Sequence, residues 1–417
     1  PLKNKISMMK LRVSYGELGN QNTSSIYPTY LTMSIGTASG NWLINGEQPN
    51  TAYPPGLITQ SLTWEKINSW NMGLDMTLFD NRLNISYDYF VRKTLDMMGP
   101  APELPSILGT DEPTANNTDL KTYGFELSVS WKDRLENGIG YSARFMLSDS
   151  QTEITSYPNE TNDLSTYCSG YKMNNIWGFE TIGIAKTQNE MDTHLESLPE
   201  GGQDAIGNNW AAGDIMYKDL NDDGKIDYGA YTLDDRGDLK IIGNSTPRYR
   251  FALDLSANWK GFDVRALFQG VMKRDYFQNS SFFWGAYSYG IWKSTAFEEH
   301  KDFFRDENSY SYDAMGENLD AYYPRPIFGN KNQKTQTRYL LDASYIRLKN
   351  LQIGYSIPSE LANKIGMSQL RVFLSGENLW TGTKVPKMFD PEYIEGGSGG
   401  NAYPLSKVYS IGVNVNF

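Results

Sequence analysis

Cysteine and long apolar runs are scarce in this sequence of 417 residues. The one cysteine, Cys168, cannot form an internal disulfide. No stretch approaches the roughly 18–20 consecutive apolar residues that a membrane-spanning helix needs. The sequence therefore predicts neither a disulfide scaffold nor a helical membrane protein.

Clustered positive charge is missing as well. The formal net charge is −11, and the 38 Lys and Arg residues are scattered along the chain. Because nucleic-acid binding needs grouped cations that neutralise phosphates, we expect no nucleic-acid partner. The chain also lacks an initiator methionine and a signal peptide, since it opens with Pro1, Leu2 and Lys3. We expect a processed chain or a part of a longer one.

Aromatic residues are abundant, in contrast. The chain has 28 Tyr, 18 Phe and 10 Trp although its mean hydropathy is −0.53. A polar average with many aromatic residues is typical of outer-membrane β-barrels, whose strands alternate lipid-facing and lumen-facing residues between aromatic girdles. A soluble all-β enzyme rich in tyrosine would have the same composition.

Strict alternation of apolar and polar residues recurs along the chain and predicts β-strands. In 123–131, for example, Tyr123, Phe125 and Leu127 alternate with Gly124 and Glu126. We predict about ten strands, near 8–17, 62–79, 82–93, 119–132, 139–150, 248–259, 262–275, 338–357, 369–380 and 404–417.

The connections between these strands alternate between short and long. Tight turns follow 79 and 259, whereas 151–247 and 276–337 are very long. Short periplasmic turns and long extracellular loops are typical of outer-membrane barrels, and soluble domains rarely contain such long connections. The sequence thus predicts an all-β transmembrane antiparallel barrel with 151–247 and 276–337 as extracellular loops.

The C-terminus has the pattern of the signal that barrel-assembly machinery reads in bacterial outer-membrane proteins. Polar or small residues separate the members of an apolar series, and the chain stops on an aromatic residue. The predicted assembly signal is Tyr409, Ile411, Val413, Val415 and Phe417. With long loops outside, the strand parity places Phe417 on the periplasmic side.

Seven segments, in order along the chain, resemble the SusC/RagA family of TonB-dependent transporters of Bacteroidota. They are LRVSYGELGN at 11–20, LTWE at 62–65, GDIMYKDLN at 213–221, IGNSTPRY at 242–249, FQGV at 268–271, ASYIRLKNL at 343–351 and LRVFLSGEN at 370–378. The resemblance extends over nearly the whole chain.

This resemblance implies a plugged barrel of about 22 strands, of which residues 1–417 are the C-terminal portion of about ten. It implies TonB-dependent active import of oligosaccharides or peptides across the bacterial outer membrane. The implied partners are a SusD-like surface lipoprotein and TonB, which would act through a plug that this stretch lacks. A passive porin and a ten-stranded outer-membrane protease are the alternatives.

Aromatic residues in the long loops are candidates for substrate contact, because aromatic faces stack on sugars and anchor interfaces. The alternative for each is packing within the loops. The candidates are Trp177, Trp210, Trp284, Trp292, Tyr287 and Tyr322.

An acidic turn matches the first nine positions of a calcium loop. Oxygen ligands at alternating positions and a turn-forming glycine, Gly224, suit a hard cation. The predicted ligands are Asp219, Asn221, Asp223, Lys225 through its carbonyl, and Asp227. The twelfth position is Ala230, so Asp234, Asp235 or Asp238 would have to complete the set. An acidic turn without metal is the alternative.

Catalytic chemistry has little support in the sequence. The only histidines are His194 and His300, both in predicted loops, and His300 follows Glu298 and Glu299. A protease needs a general base beside an activated water or serine, but charge clusters in loops are usually solvated. We expect the chain not to be an enzyme.

Overall fold

The structure, a computed structural model, describes residues 5–21, 30–37, 42–53, 55–59, 62–99, 115–285, 296–395 and 405–417, with 107, 113 and 403. Its main feature is one antiparallel sheet of ten strands, here called the wall, in which each strand pairs with the next in sequence. The strands are β1 Ile6–Asn20, β2 Glu65–Leu78, β3 Leu83–Gly99, β4 Ala115–Arg134, β5 Gly140–Ser156, β6 Arg248–Trp259, β7 Phe262–Lys273, β8 Tyr345–Ser356, β9 Gln369–Thr383 and β10 Val408–Asn416.

The predicted alternation gives the wall two chemically different faces. Successive side chains of a strand point to opposite faces, and the register keeps apolar residues opposite apolar ones, as Leu11 is opposite Leu74. On the other face Arg12 is opposite Gly73. Leu11 is 73% exposed and Ile411 is 75% exposed on the apolar face. The face that carries Arg12 is called the polar face.

Tight turns join strands at one end of the wall. Asp80 and Asn81 adopt φ of 55° and 66° between β2 and β3, and Lys260 and Gly261 adopt φ of 48° and 87° between β6 and β7. Positive φ at both central residues is the geometry of the hairpin turns whose twist matches that of the flanking strands. The turns predicted after 79 and 259 are confirmed.

The long connections are folded units rather than irregular loops. They contain paired short strands, namely Ile35–Thr37 with Asn50–Ala52, Asn175–Phe179 with Leu239–Asn244, Thr181–Ile184 with Ile215–Tyr217, and Asp275–Phe277 with Leu340–Asp342. Their α-helices are Gln188–Glu196, Ser281–Trp284 and Tyr312–Met315, and their 3-10 helices are Glu298–Lys301 and Lys331–Gln333. A further α-helix, Ser359–Lys364, lies in the short connection between β8 and β9. The sequence predicted none of these elements.

A hydrophobic core lies in these connections and not in the wall. Its members come from 164–239, 283–343 and 385–394, and the largest fully buried side chains are Trp284, Tyr217 and Tyr323. The described residues of 157–247, 274–344 and 384–395 are called the loop layer. Within the described residues, no helix is long and apolar enough to cross a membrane.

The ten predicted strands are confirmed, with shifts at their ends. The strand predicted at 338–357 is divided, because Leu340–Asp342 pairs inside the loop layer and β8 begins at Tyr345. Between them Ala343 is fully buried and donates its N–H to the carbonyl of Arg274. This pairing turns the chain from the loop layer into the wall.

Candidate functional site

Ion pairs connect neighbouring strands across the polar face. Arg12 Nε lies 2.8 Å from Asp75 Oδ2, and Arg12 Nη2 lies 2.9 Å from Asp88 Oδ2 on the strand beyond. The same face has a bidentate pair between Arg265 and Asp254, with N–O distances of 3.0 and 2.7 Å. Such planar, charge-assisted pairs fix the orientation of both side chains. The polar face is therefore an organised charged surface.

A segment of the loop layer is bound to this face. Arg347 of β8 is 3% exposed and contacts both carboxylate oxygens of Asp390 at 2.8 Å, and its Nη1 lies 2.6 Å from Glu392 Oε2. Lys349 adds a pair to Glu392 at 3.0 Å, and Arg274 pairs with Glu395. The segment 384–395, called the strap, is thus held against the wall by charge.

A cavity of about 750 Å³ lies between the polar face and the strap. The wall contributes Asp88, Glu126, Ser148 and Arg250, among others, and the strap contributes Glu392 and Glu395. Its size is in the range of small-molecule sites. The sequence does not predict this cavity, because the lining residues come from strands far apart in the chain.

The predicted aromatic residues are mostly interior to the loop layer. Trp284 is 1% exposed against Phe283 and Tyr339, and Trp210 is 7% exposed with Lys331 Nζ 4.6 Å from its ring centroid. Neither ring offers a free face to a ligand in this structure. Of the two interpretations considered for these two residues, packing within the loops fits their burial.

The other aromatic candidates divide into two groups. Trp177 and Tyr322 are partly buried and pack against the loop-layer core, and burial raises the pKa of Tyr322 to about 12. Trp292 and Tyr287 lie outside the described residues. The side chains of Tyr310 and Phe328 are far more exposed than any described candidate, and no periodicity in the sequence marked them.

A buried charge cluster, absent from the sequence predictions, joins the two longest loops. Asp214 is fully buried and accepts hydrogen bonds at 2.8 Å from Arg325, Lys331 and Asn332. Burial by itself would raise the pKa of Asp214, but these three donors outweigh it and lower the pKa. The cluster fixes 157–247 to 296–337.

The acidic turn folds around its own backbone. Asp219 accepts the N–H groups of Asp222 and Gly224 at 2.7 and 2.8 Å, and Asp223 accepts the N–H of Lys225 at 3.2 Å. Lys225 Nζ lies 2.6 Å from Asp227 Oδ2. Within the described residues, no group of three or more His, Cys, Asp or Glu side chains is placed to hold a metal ion.

Among the three residues considered for the missing twelfth position, Asp238 is the one that packs against the turn. It is fully buried and accepts the N–H groups of Leu220 and Asp227 at 2.7 and 2.9 Å. Burial, followed by the nearby charges of Asp219 and Asp223, raises the pKa of Asp238. Asp234 and Asp235 bond elsewhere, to Asn162 and Ala230.

The rings of both histidines form hydrogen bonds within the loop layer. His300 Nδ1 accepts the N–H of Phe297 at 2.9 Å, and its Nε2 lies 3.0 Å from the carbonyl oxygen of Phe283. His194 Nε2 lies 3.2 Å from Gln203 Oε1, and burial lowers the pKa of His194. With both ring nitrogens bonded to backbone, His300 is not placed to act as a general base.

The predicted assembly signal lies at an edge of the wall. The strand β10 pairs with β9 through a regular register, in which Ile411 is opposite Leu374 and Val413 is opposite Val372. Tyr409, Ile411 and Val413 are exposed on the apolar face, and Phe417 follows the end of the strand. Their role in assembly stays a prediction.

Comparison with known proteins finds relatives that are similar in sequence to nearly the whole of this chain. No family model matches the chain. The chain is 27% identical to TonB-dependent receptor P3 of Formosa agariphila and 22% identical to TonB-dependent receptor SusC of Bacteroides thetaiotaomicron, in each case over 99% of this chain. The aligned part is 40% and 38% of those proteins, so the chain spans about two-fifths of their length.

The fold agrees with a solved transporter structure. The chain is similar to a chain of the RagAB peptide transporter, with a TM-score of 0.73, 24% identity, and coverage of 99% of this chain and 41% of that one. The RagAB peptide importer in its open-open state gives a TM-score of 0.70. The sheet is thus a fragment of wall of the kind found in that barrel.

The fold defines the class as a piece of a large antiparallel β-barrel with an elaborate loop layer. The relatives then identify the chain as a homologue of TonB-dependent receptors that include SusC, which confirms the resemblance predicted from the sequence. Those relatives are named as receptors and not as enzymes, and the prediction that this chain is not an enzyme is confirmed.

Proposed function

We propose that this chain is the C-terminal part of a transporter that imports oligosaccharides or peptides across the bacterial outer membrane with energy from TonB. The observation that carries the proposal is homology to TonB-dependent receptors over 99% of the chain. An exposed apolar face on a ten-stranded wall suits lipid contact. A polar face with ordered ion pairs suits the interior of a plugged barrel.

The proposal includes a SusD-like surface lipoprotein that would cover the loop layer. The loop layer has its own core and therefore presents a stable surface. Exposed aromatic side chains such as Tyr310 and Phe328 are of the kind that anchors protein interfaces. The similarity to SusC and to a chain of the RagAB peptide transporter supports this partner.

A closed ten-stranded barrel is disfavoured by the strand order. Among the described strands, β1 pairs with β2 alone and β10 pairs with β9 alone, so the two are opposite edges of the wall. A protease built on ten strands would need these edges to pair with each other. More strands are needed to close this wall, as the greater length of the relatives suggests.

The test is an uptake experiment with the complete transporter in its native host. Deletion of the gene is expected to abolish uptake of one labelled class of ligand, either peptide or oligosaccharide. Loss of TonB in an otherwise intact cell is expected to abolish the same uptake. Passage that persists without TonB would identify a passive porin and contradict the proposal.

We propose in addition that the acidic turn of Asp219, Asn221, Asp223, Lys225 and Asp227 binds calcium, with Asp238 as an added carboxylate. Burial raises the pKa of Asp238, and repulsion from the carboxylates of Asp219 and Asp223 adds to this shift. A divalent cation would offset this repulsion, provided that Lys225 Nζ leaves Asp227. The role of the ion would be to stabilise the loop layer.

A further inference from the structure

The strap has two chemically different sides. Phe389 and Ile394 are buried and belong to the core of the loop layer, where the ring centroid of Phe389 lies 6.4 Å from that of Phe283. Asp390 and Glu392, which lie between Phe389 and Ile394 in the sequence, extend their carboxylates to the wall instead. One side of the strap is thus fixed by apolar packing and the other by charge.

The charged side of the strap carries every ion pair that joins the loop layer to the wall within the described residues. Arg347 pairs with Asp390 at 2.8 Å and with Glu392 at 2.6 Å, and Lys349 pairs with Glu392 at 3.0 Å. Gln269 of β7 donates a hydrogen bond to Glu392 at 3.0 Å. These side chains are called the latch. The charged contact between the two regions is therefore concentrated in one place, beside the cavity.

The latch is the weaker of the two attachments of the strap. Its cations, Arg347 and Lys349, face an equal number of carboxylates, but the desolvation of buried ions offsets much of their attraction. Burial of the strap's apolar side chains in the core has no such offset. The cavity of about 750 Å³ beside Glu392 has room for water, which can solvate the strap carboxylates once they leave the wall. When the loop layer shifts relative to the wall, the strap should separate from the wall and stay with the loop layer.

The strap also forms part of the cavity lining. Pro391, Glu392 and Glu395 line the cavity together with wall residues such as Ser148 and Gln269. Movement of the strap away from the latch would take its residues out of the lining and open that side of the cavity. The position of the strap therefore controls access to the polar face.

We propose that the strap is a gate between the loop layer and the polar face, and that the latch holds this gate closed. In the closed state, which the structure shows, Asp390 and Glu392 are bound to Arg347 and Lys349. In the open state the strap moves with the core of the loop layer, and water replaces the wall as the partner of both carboxylates. This inference rests on the proposed import function and adds its regulation, because ligand passes the strap only while the latch is broken.

The decisive test locks the gate reversibly in the full-length transporter in its native host. The double variant Gln269→Cys, Glu392→Cys replaces two side chains whose amide nitrogen and carboxylate oxygen lie 3.0 Å apart. A short bis-methanethiosulfonate crosslinker then joins the wall to the strap across the space that the shorter side chains leave. TonB-dependent uptake should fall about tenfold or more relative to the untreated double variant, because the open population is suppressed. Reductant should restore uptake.

Two controls separate locking from chemical modification. A monofunctional methanethiosulfonate on the same double variant should leave its uptake unchanged. The pair Ser142→Cys, Ser256→Cys replaces hydroxyl oxygens that lie 2.8 Å apart on neighbouring strands of the wall, and its uptake should tolerate the crosslinker. Cys168 is buried and should not compete for the reagent.

A second variant breaks the latch instead of locking it. Arg347→Met removes the cation that both strap carboxylates share, and Ser148→Cys in the cavity lining reports access to a membrane-impermeant maleimide in intact cells. Labelling of Ser148→Cys should become about tenfold faster or more when Arg347→Met is added. The matched control Lys384→Met breaks an exposed ion pair of the strap with Asp342 and should leave the labelling rate unchanged.

Either experiment can overturn the gate. Uptake that persists after crosslinking of the Gln269→Cys, Glu392→Cys variant would show that the strap does not have to move. Equal labelling rates with and without Arg347→Met would show that the latch does not control access to the cavity. Absence of TonB-dependent uptake from the wild type would instead contradict the proposed import function, and the labelling rates would still decide for or against the gate.

Discussion

The wall and the loop layer place their large apolar side chains in opposite surroundings. In the wall, residues such as Leu11, Val13 and Ile411 are exposed along one face. In the loop layer, Trp284, Phe283 and Tyr339 are packed together with almost no exposure. The wall is held by backbone ladders and short cross-strand ion pairs, whereas the loop layer has the core of a water-soluble domain.

This difference means that the two regions of the chain are suited to two different solvents, lipid for the wall and water for the loop layer. Exposed apolar strands are stable where lipid covers them, and a buried aromatic core is stable in water through the hydrophobic effect. The strap connects the two regions by charge, through the pair between Asp390 and Arg347 of the wall. Perturbations of each region should therefore be separable by experiment.

The largest effect is expected in the loop layer from Asp214→Asn. The substitution leaves Arg325 and Lys331 beside a site without its negative charge, and loss of one partner in a buried ion cluster costs about 3–5 kcal/mol. Urea unfolding followed by tryptophan fluorescence should report this loss. The electrophoretic mobility of the folded wall in detergent should stay unchanged. Unfolding of the wall together with the loop layer would refute the claim that the two regions can be perturbed separately.

The matched control is Asp320→Asn, which removes a carboxylate that pairs with Lys186 at the exposed surface. A surface pair contributes about 0–1 kcal/mol. Acid titration adds a second readout for Asp214. Because its pKa is lower in the folded state, its stabilising contribution is full above pH ~4 and is lost as the pH falls through the folded pKa.

The next effect is expected in the wall from Leu374→Arg. Leu374 is 60% exposed on the apolar face of β9, and an arginine facing lipid at the bilayer midplane costs about 2–4 kcal/mol. Unfolding in lipid vesicles would measure the loss. Ser375→Arg places the same side chain on the polar face and should cost much less. Equal costs for the two variants would contradict the assignment of the faces.

The smallest effect is expected from calcium. If the acidic turn binds the ion, a calcium concentration ten times the dissociation constant stabilises the loop layer by about 1.4 kcal/mol. Chelation should lower the midpoint of its fluorescence transition and leave the wall unaffected. The double variant Asp219→Asn, Asp223→Asn should be insensitive to chelation. A wild-type transition that ignores both calcium and chelator would refute the proposal.

The strands were predictable because alternation is a local property. The predicted 248–259 coincides with β6, and the other nine strands differ from their predictions mainly at the ends. The burial of Trp284 and Trp210 in the core was harder to predict from the sequence. An aromatic residue in a long loop has the same letter whether it faces solvent or a core, and only the folding of 157–247 against 281–343 buries these two.

The contacts that organise the candidate site join residues far apart in the chain. Asp214 meets Lys331, and Arg347 of the wall meets Asp390 of the strap. Nothing in the neighbourhood of any of these residues in the sequence indicates its partner. Their pairing depends on strand register and on the docking of loops, which are properties of the whole fold.

By itself the sequence determined which residues of each strand share a face, because side chains alternate along any extended strand. It also determined the kinship with TonB-dependent receptors through motifs spread along the chain. Only the tertiary structure decided which charges on the polar face meet. Arg12 closes over Gly73 onto Asp88, because the register of three strands places a glycine between the two charged residues.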